Sequence, residues 1–100
     1  MNRQRITQQE ENLNSVTAAL ETMEQALEDF ERACQAMEQL SSYYGSAAWH
    51  EDRAALDSGA FGQHPPAAGV LSEDAAYNAI SDWRETYLQM LELASRAARI

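Results

Sequence analysis

The sequence predicts an all-α fold in which two long antiparallel helices, joined by a short helix and an extended strap, form a dimeric four-helix-type bundle. Three observations carry that prediction. Between Leu13 and Met37 the large apolar residues recur at alternating spacings of three and four, which places them on one face of a long helix. The alternation returns near the carboxyl end in Ala76, Ile80, Trp83, Tyr87, Met90, Ala94 and Ala97. Between the two patterns, Gly59 to Gly69 is rich in glycine, proline and alanine, and His64-Pro65-Pro66 favours extended chain over helix. The chain reads as one helical domain, 1–100, with a long helix near 2–44, a short helix near 46–58, the strap at 59–71 and a second long helix near 72–99.

In the first helix, Ile6, Leu13, Leu20, Leu27 and Cys34 occupy heptad position a, and Val16, Met23, Phe30 and Met37 occupy d. Position g reads Ala19, Ala26, Ala33 and Leu40, and position e reads Glu10, Thr17, Glu24, Glu31 and Glu38. A parallel two-stranded coil sets g against e of its partner and favours opposite charges there, whereas this pattern would set alanine against glutamate. An apolar stripe with small residues along one border suits a helix packed between two neighbours in an antiparallel bundle, and a plain dimeric coiled coil stands as the alternative. Thr7 followed by Glu10 makes one possible capping box, and Asn2 offers an earlier start. Neither glycine nor proline interrupts the run to Tyr43 or Tyr44, where Gly45 supplies the left-handed residue that ends many helices.

Ser46 then caps the short helix, which places Trp49 and Leu56 on one face and stops at Asp57, Ser58 and Gly59. A disordered linker has no use for Trp49, Leu56, Phe61 and Val70, so the strap is expected to be ordered, with Phe61 and Val70 as its anchors. Ser72 caps the last helix, and Glu73 and Asp74 put negative charge at the positive end of its dipole. Tyr77, Leu88, Leu91 and Ala98 form a second stripe beside the first, more apolar surface than one neighbouring helix covers.

Composition bounds the partners. A domain of 100 residues buries only about 60 to 65% of its unfolded surface, so a second chain would help its thin core. The formal net charge of -9 repels phosphate backbones and anionic headgroups, which speaks against nucleic acid and membrane surfaces as partners. No run of eighteen apolar residues and no export signal is visible, and a soluble, cytoplasmic protein is expected. The lone Cys34 allows no intramolecular disulfide, fits a reducing compartment, and sits on the apolar stripe as a small hydrophobe.

The chemistry-bearing residues are sparse. His50, Glu51 and Asp52 are consecutive, so on a helix they point about 100° apart and cannot converge on one ion; with Asp57 and His64 they match no closed zinc site, and no metal or cofactor is expected. Asp52, Asp57 and Asp74 around Tyr77 read either as a carboxylate cluster or, more commonly, as caps and a hydrogen-bonded loop. Tyr43, Tyr44, Trp49, Trp83 and Tyr87 form an aromatic group suited to core packing, to partner contact or to a small-molecule pocket. No phosphate-binding glycine loop, nucleophile elbow or His-Glu-x-x-His motif occurs, so no catalytic residue is assigned.

The order Tyr43-Tyr44-Gly45-Ser46, Trp49, Asp52, Asp57 and Gly59, then Pro65 or Pro66, then Gly69-Val70-Leu71-Ser72-Glu73-Asp74 and Tyr77, resembles a family of short bacterial proteins catalogued as a domain of unknown function. The resemblance spans nearly the whole chain and implies a small helical protein without an assigned activity. Ser58 stands where family members often have an acid, and Ala68 where they have a charged residue, which puts a carboxylate-centred site at that end of the strap in doubt. The candidate interaction residues are Tyr43, Tyr44, Gly45, Ser46, Trp49, Asp52, Asp57, Ser72, Glu73, Asp74 and Tyr77. Two functions stand: a noncatalytic, homodimeric interaction or assembly module with an unidentified protein partner, and a small helical enzyme or ligand-binding bundle with the long, short, long helix order of chorismate mutases. The second needs cationic side chains inside a bundle, and only Arg53 and Arg84 are placed to supply them.

Overall fold

The computed structural model describes residues 2–100 as three α-helices and one 3-10 turn, with no strand among them. Helix α1 spans Arg3–Tyr43, α2 spans Ala47–Asp57, the 3-10 turn spans Gly69–Leu71 and α3 spans Glu73–Ala97. Among the described residues, no helix is long and apolar enough to cross a membrane. The chain divides into two compact units, one ending at Ala36 and the other comprising Met37–Ile100.

The first unit is the greater part of α1. The Asn2 carbonyl accepts the Ile6 N–H at 3.0 Å, so the helix begins a turn before the Thr7–Glu10 pair; nothing between Arg3 and Thr7 breaks it. Polar contacts along the surface, Gln8 to Asn12 at 3.2 Å, Gln25 to Asp29 at 3.1 Å and the Asp29–Arg32 ion pair, each add about 0.2–0.5 kcal/mol to helix formation. No residue of α1 is buried. Ile6, Leu13, Val16, Leu20, Met23 and Leu27 remain 50–65% exposed, an uncovered row on one face.

The second unit holds the core. Its buried apolar residues are Trp49, Leu71 and Ala76, one from each of α2, the 3-10 turn and α3. Half-buried Met37, Leu40, Leu56, Val70, Ile80 and Trp83 extend it. Along α3 the covered face includes Ala76, Ile80, Trp83 and Met90, whereas Tyr77, Leu88, Leu91 and Leu93 lie 48–64% exposed.

The segment between α2 and α3 is not extended throughout. Gly59, at φ 75°, closes α2 with paired hydrogen bonds from Gly59 N to Leu56 O (3.2 Å) and from Ala60 N to Ala55 O (3.0 Å), the pattern of a Schellman cap. A second left-handed glycine, Gly62 at φ 66°, follows with its N–H on the Gly59 carbonyl at 3.0 Å. Phe61 lies between these two glycine turns and stays 43% exposed, so it is a weaker anchor than its size implied. Leu71 takes that place. Its N–H reaches Ala68 O at 3.0 Å, and the resulting 3-10 turn directs the leucine inward to 8% exposure.

Candidate functional site

Several polar and aromatic residues of the sequence signatures gather where α1, α2 and α3 meet within the second unit, and local backbone chemistry sets up the meeting. After the Tyr44 N–H bonds Leu40 O at 2.9 Å, Gly45 turns the chain at φ 75°, a conformation that costs a residue with a Cβ roughly 1–2 kcal/mol. Ser46 follows in extended conformation and its Oγ accepts the Trp49 N–H at 3.2 Å, which caps α2 and orients the indole one turn later. At the other junction the Ser72 hydroxyl donates to Gly69 O at 2.8 Å and accepts the Ala75 N–H at 3.2 Å, so one side chain closes the 3-10 turn and opens α3.

Trp49 is the hub. It is 4% exposed, and its Nε1 donates to the Val70 carbonyl at 2.9 Å, tying α2 to the 3-10 turn. The Tyr44 ring meets it edge to face with centroids 5.5 Å apart, and the His50 ring does so at 4.9 Å. The Arg53 guanidinium sits 5.4 Å from the centroid of the indole and pairs with the Glu73 carboxylate at 3.0 Å. Tyr44 Oη also donates to the Glu73 carbonyl at 3.3 Å, so Glu73 receives contacts from α2 and from the turn that follows α1.

Tyr43 and Asp52 form a second pair, the phenol donating to the carboxylate at 2.5 Å. Accepting that hydrogen bond, with lesser help from desolvation and from its own negative charge, Asp52 raises the Tyr43 pKa above its ordinary value of 10.0. The raised value belongs to the folded state. The contribution of the pair is therefore complete below the unfolded phenol's pKa and is lost as pH rises through the folded one. Asp52→Asn is expected to move one phenolate absorbance transition to lower pH, and an unchanged alkaline titration would show that the pair is not formed in solution.

The remaining candidates do not join one cluster. Asp57 ends α2, exposed and without a side-chain hydrogen bond; Asp74 lies in the first turn of α3; Tyr77 is 64% exposed on the same helix. Tyr44, Gly45, Trp49, His50, Glu73, Asp74 and Tyr77 line an open groove of about 460 Å³. A second open groove is lined by Met37, Ser41, Tyr77, Ile80, Ser81, Trp83, Arg84 and Tyr87, and the only cation in it is Arg84. Among the described residues no group of three His, Cys, Asp or Glu side chains could hold a metal ion. Sequence reasoning missed Arg53 as a structural contact and Leu71 as core. The signal for Arg53 was its spacing of four from Trp49 on one helix face, which stacks the guanidinium over the indole.

A family model described as a domain of unknown function (DUF4298) matches residues 6–93 and takes in both the Tyr43–Asp52 and the Gly69–Tyr77 signatures. No curated protein and no solved structure matches the chain.

Proposed function

Since the chain belongs to the DUF4298 family of domains of unknown function, we propose its role from its own geometry: a noncatalytic protein–protein interaction or assembly module that works as a homodimer. The observation that carries the reading is the exposure of Ile6, Leu13, Val16, Leu20, Met23 and Leu27 in one row on α1. Contiguous apolar surface of this kind on a water-exposed helix marks a place where another chain sits. The exposed face of Tyr77, Leu88 and Leu91 on α3 adds to it, and two long helices from each of two chains make an antiparallel four-helix-type bundle.

The polar residues at the aromatic end support the noncatalytic side of the reading. Tyr43 with Asp52, Arg53 with Glu73, and the hydroxyls of Ser46 and Ser72 are each engaged in holding helix ends together. In the chorismate-mutase-like alternative several cations would grip a dianion. Arg53 is already engaged with Glu73 and Trp49, and Arg84 lines its groove without a second cation, which leaves that reading with less support. A cytoplasmic setting goes with the assembly reading, since the single Cys34 is half-buried on an apolar stripe and fits a reducing compartment. Gel filtration coupled to light scattering is expected to return about twice the chain mass. A clean monomer at high micromolar concentration would remove the homodimer and with it this reading.

A further inference from the structure

We infer that the groove lined by the end of α1 and the middle of α3 binds a small aromatic monocarboxylate, with Arg84 on the carboxylate and Trp83 beside the ring. Seven arginines share this chain with sixteen acids, and most of them have a place. Arg32 is paired with Asp29 and Arg53 with Glu73. Arg96 and Arg99 stand at the carboxyl end of α3, where the helix dipole favours a cation. Arg84 stands in the middle of α3, exposed, with neither an ion pair nor a hydrogen bond among the described residues.

Helix spacing keeps it unpaired. The neighbours three and four residues away are Ile80, Ser81, Tyr87 and Leu88, none of them an acid. Asp82 and Glu85 are turned about 160° and 100° around the helix from it. No acid lines the groove either, although acids outnumber arginines more than two to one in the chain. Arg84 also interrupts an exposed apolar face, with Tyr77 and Leu91 seven residues before and after it. Apolar surface laid over that face would strip water from the guanidinium and leave it unpaired, so whatever covers it carries an anion.

The lining selects a small molecule over an acidic side chain of another protein. The groove holds about 410 Å³, and half-buried Met37, Ile80 and Trp83 line it together with Tyr77 and Tyr87. Sites for small ligands span roughly 300–1,000 Å³ and combine such apolar walls with a few polar groups. A lone aspartate or glutamate would meet the guanidinium and leave the aromatic wall wet, whereas a flat ring bearing a carboxylate covers both. One cation matches one negative charge. Ser81, one turn before Arg84, supplies a hydroxyl for the second carboxylate oxygen. The groove uses none of the six exposed α1 residues that carry the assembly reading, so the two stand or fall separately.

Naphthoate, a monocarboxylate on a flat aromatic body, tests this against naphthamide, which keeps the body and lacks the charge. Titration of the full chain is followed by NMR of the indole N–H groups, and Trp83→Phe identifies the signal of Trp83. That signal is expected to shift with naphthoate, while the Trp49 signal, whose N–H is held by the Val70 carbonyl, stays in place. Arg84→Gln is expected to weaken naphthoate binding by about tenfold or more, the loss of one charge-assisted hydrogen bond, with the circular dichroism of the parent unchanged. Naphthamide should bind the parent no better than naphthoate binds the variant. An unmoved Trp83 signal at millimolar naphthoate overturns the inference, and so does binding that ignores the charge on either side. Where the Trp83 signal is unmoved and Arg84→Gln also halves the mass measured by light scattering, a carboxylate of a second copy occupies Arg84 and the small-molecule site is excluded.

Discussion

Trp49→Ala is expected to lower the melting temperature by well over about 10 °C. The indole is 4% exposed, lies against the Tyr44 and His50 rings, and carries the Arg53 guanidinium at 5.4 Å. Truncating a buried tryptophan to alanine commonly costs about 3–5 kcal/mol in lost transfer energy and cavity formation. The change also leaves the Val70 carbonyl without the indole N–H that it accepts at 2.9 Å, so the 3-10 turn loses its tie to α2. For a domain of this size each kcal/mol is worth roughly 4–8 °C. Phe61→Ala serves as the contrast: with its ring 43% exposed, its removal is expected to shift the transition by only a few degrees. Thermal unfolding followed by circular dichroism checks both. Should Trp49→Ala melt within a degree or two of the parent, while a protease cuts the parent readily between Gly59 and Gly69, the segment joining α2 and α3 is a linker and not an ordered strap.

Leu20→Glu is expected to halve the mass measured by light scattering. Leu20 is 59% exposed in the single chain, so a glutamate there costs the monomer's own packing little. In the proposed homodimer it lies within the covered α1 stripe, where a carboxylate loses its water without gaining a cation. The penalty for burying an unpaired charge is several kcal/mol, and symmetry imposes it twice. Since about 1.4 kcal/mol is a tenfold change, dissociation is expected to strengthen by about three decades or more. Tryptophan emission should stay that of the parent, because Trp49 lies in the other compact unit, whose core is Trp49, Leu71 and Ala76. A variant that keeps the parent's doubled mass at micromolar concentration would mean that the α1 stripe does not hold the dimer.

The sequence by itself determined what depends on neighbours within about one helical turn. Heptad spacing and the absence of glycine and proline specify α1 as a long helix with one apolar row, because helix periodicity aligns residues three and four apart whatever surrounds them. Ser46 and Ser72 are legible as caps for the same reason: each accepts an N–H only three residues ahead. Gly45 is legible too, since only a residue without a Cβ takes φ 75° cheaply. The family was also within reach: the resemblance was to a domain of unknown function, and the model of one matches residues 6–93.

Only the tertiary structure decided how the junction closes. The contacts that organise it join Trp49 to Val70, Arg53 to Glu73 and Tyr44 to Glu73, over 21, 20 and 29 residues. Their positions depend on every dihedral in the intervening turns, above all the left-handed Gly59 and Gly62 and the 3-10 turn at Gly69–Leu71. Small rotations there accumulate into displacements of many ångströms, so pattern reasoning named Phe61 as an anchor where Leu71 is the residue turned inward. Asp52, Asp57 and Asp74 show the same division. Each could be placed on its helix from the sequence, yet that one accepts from Tyr43, another ends α2 exposed and the third stands in the first turn of α3 follows only from where the three helices come together.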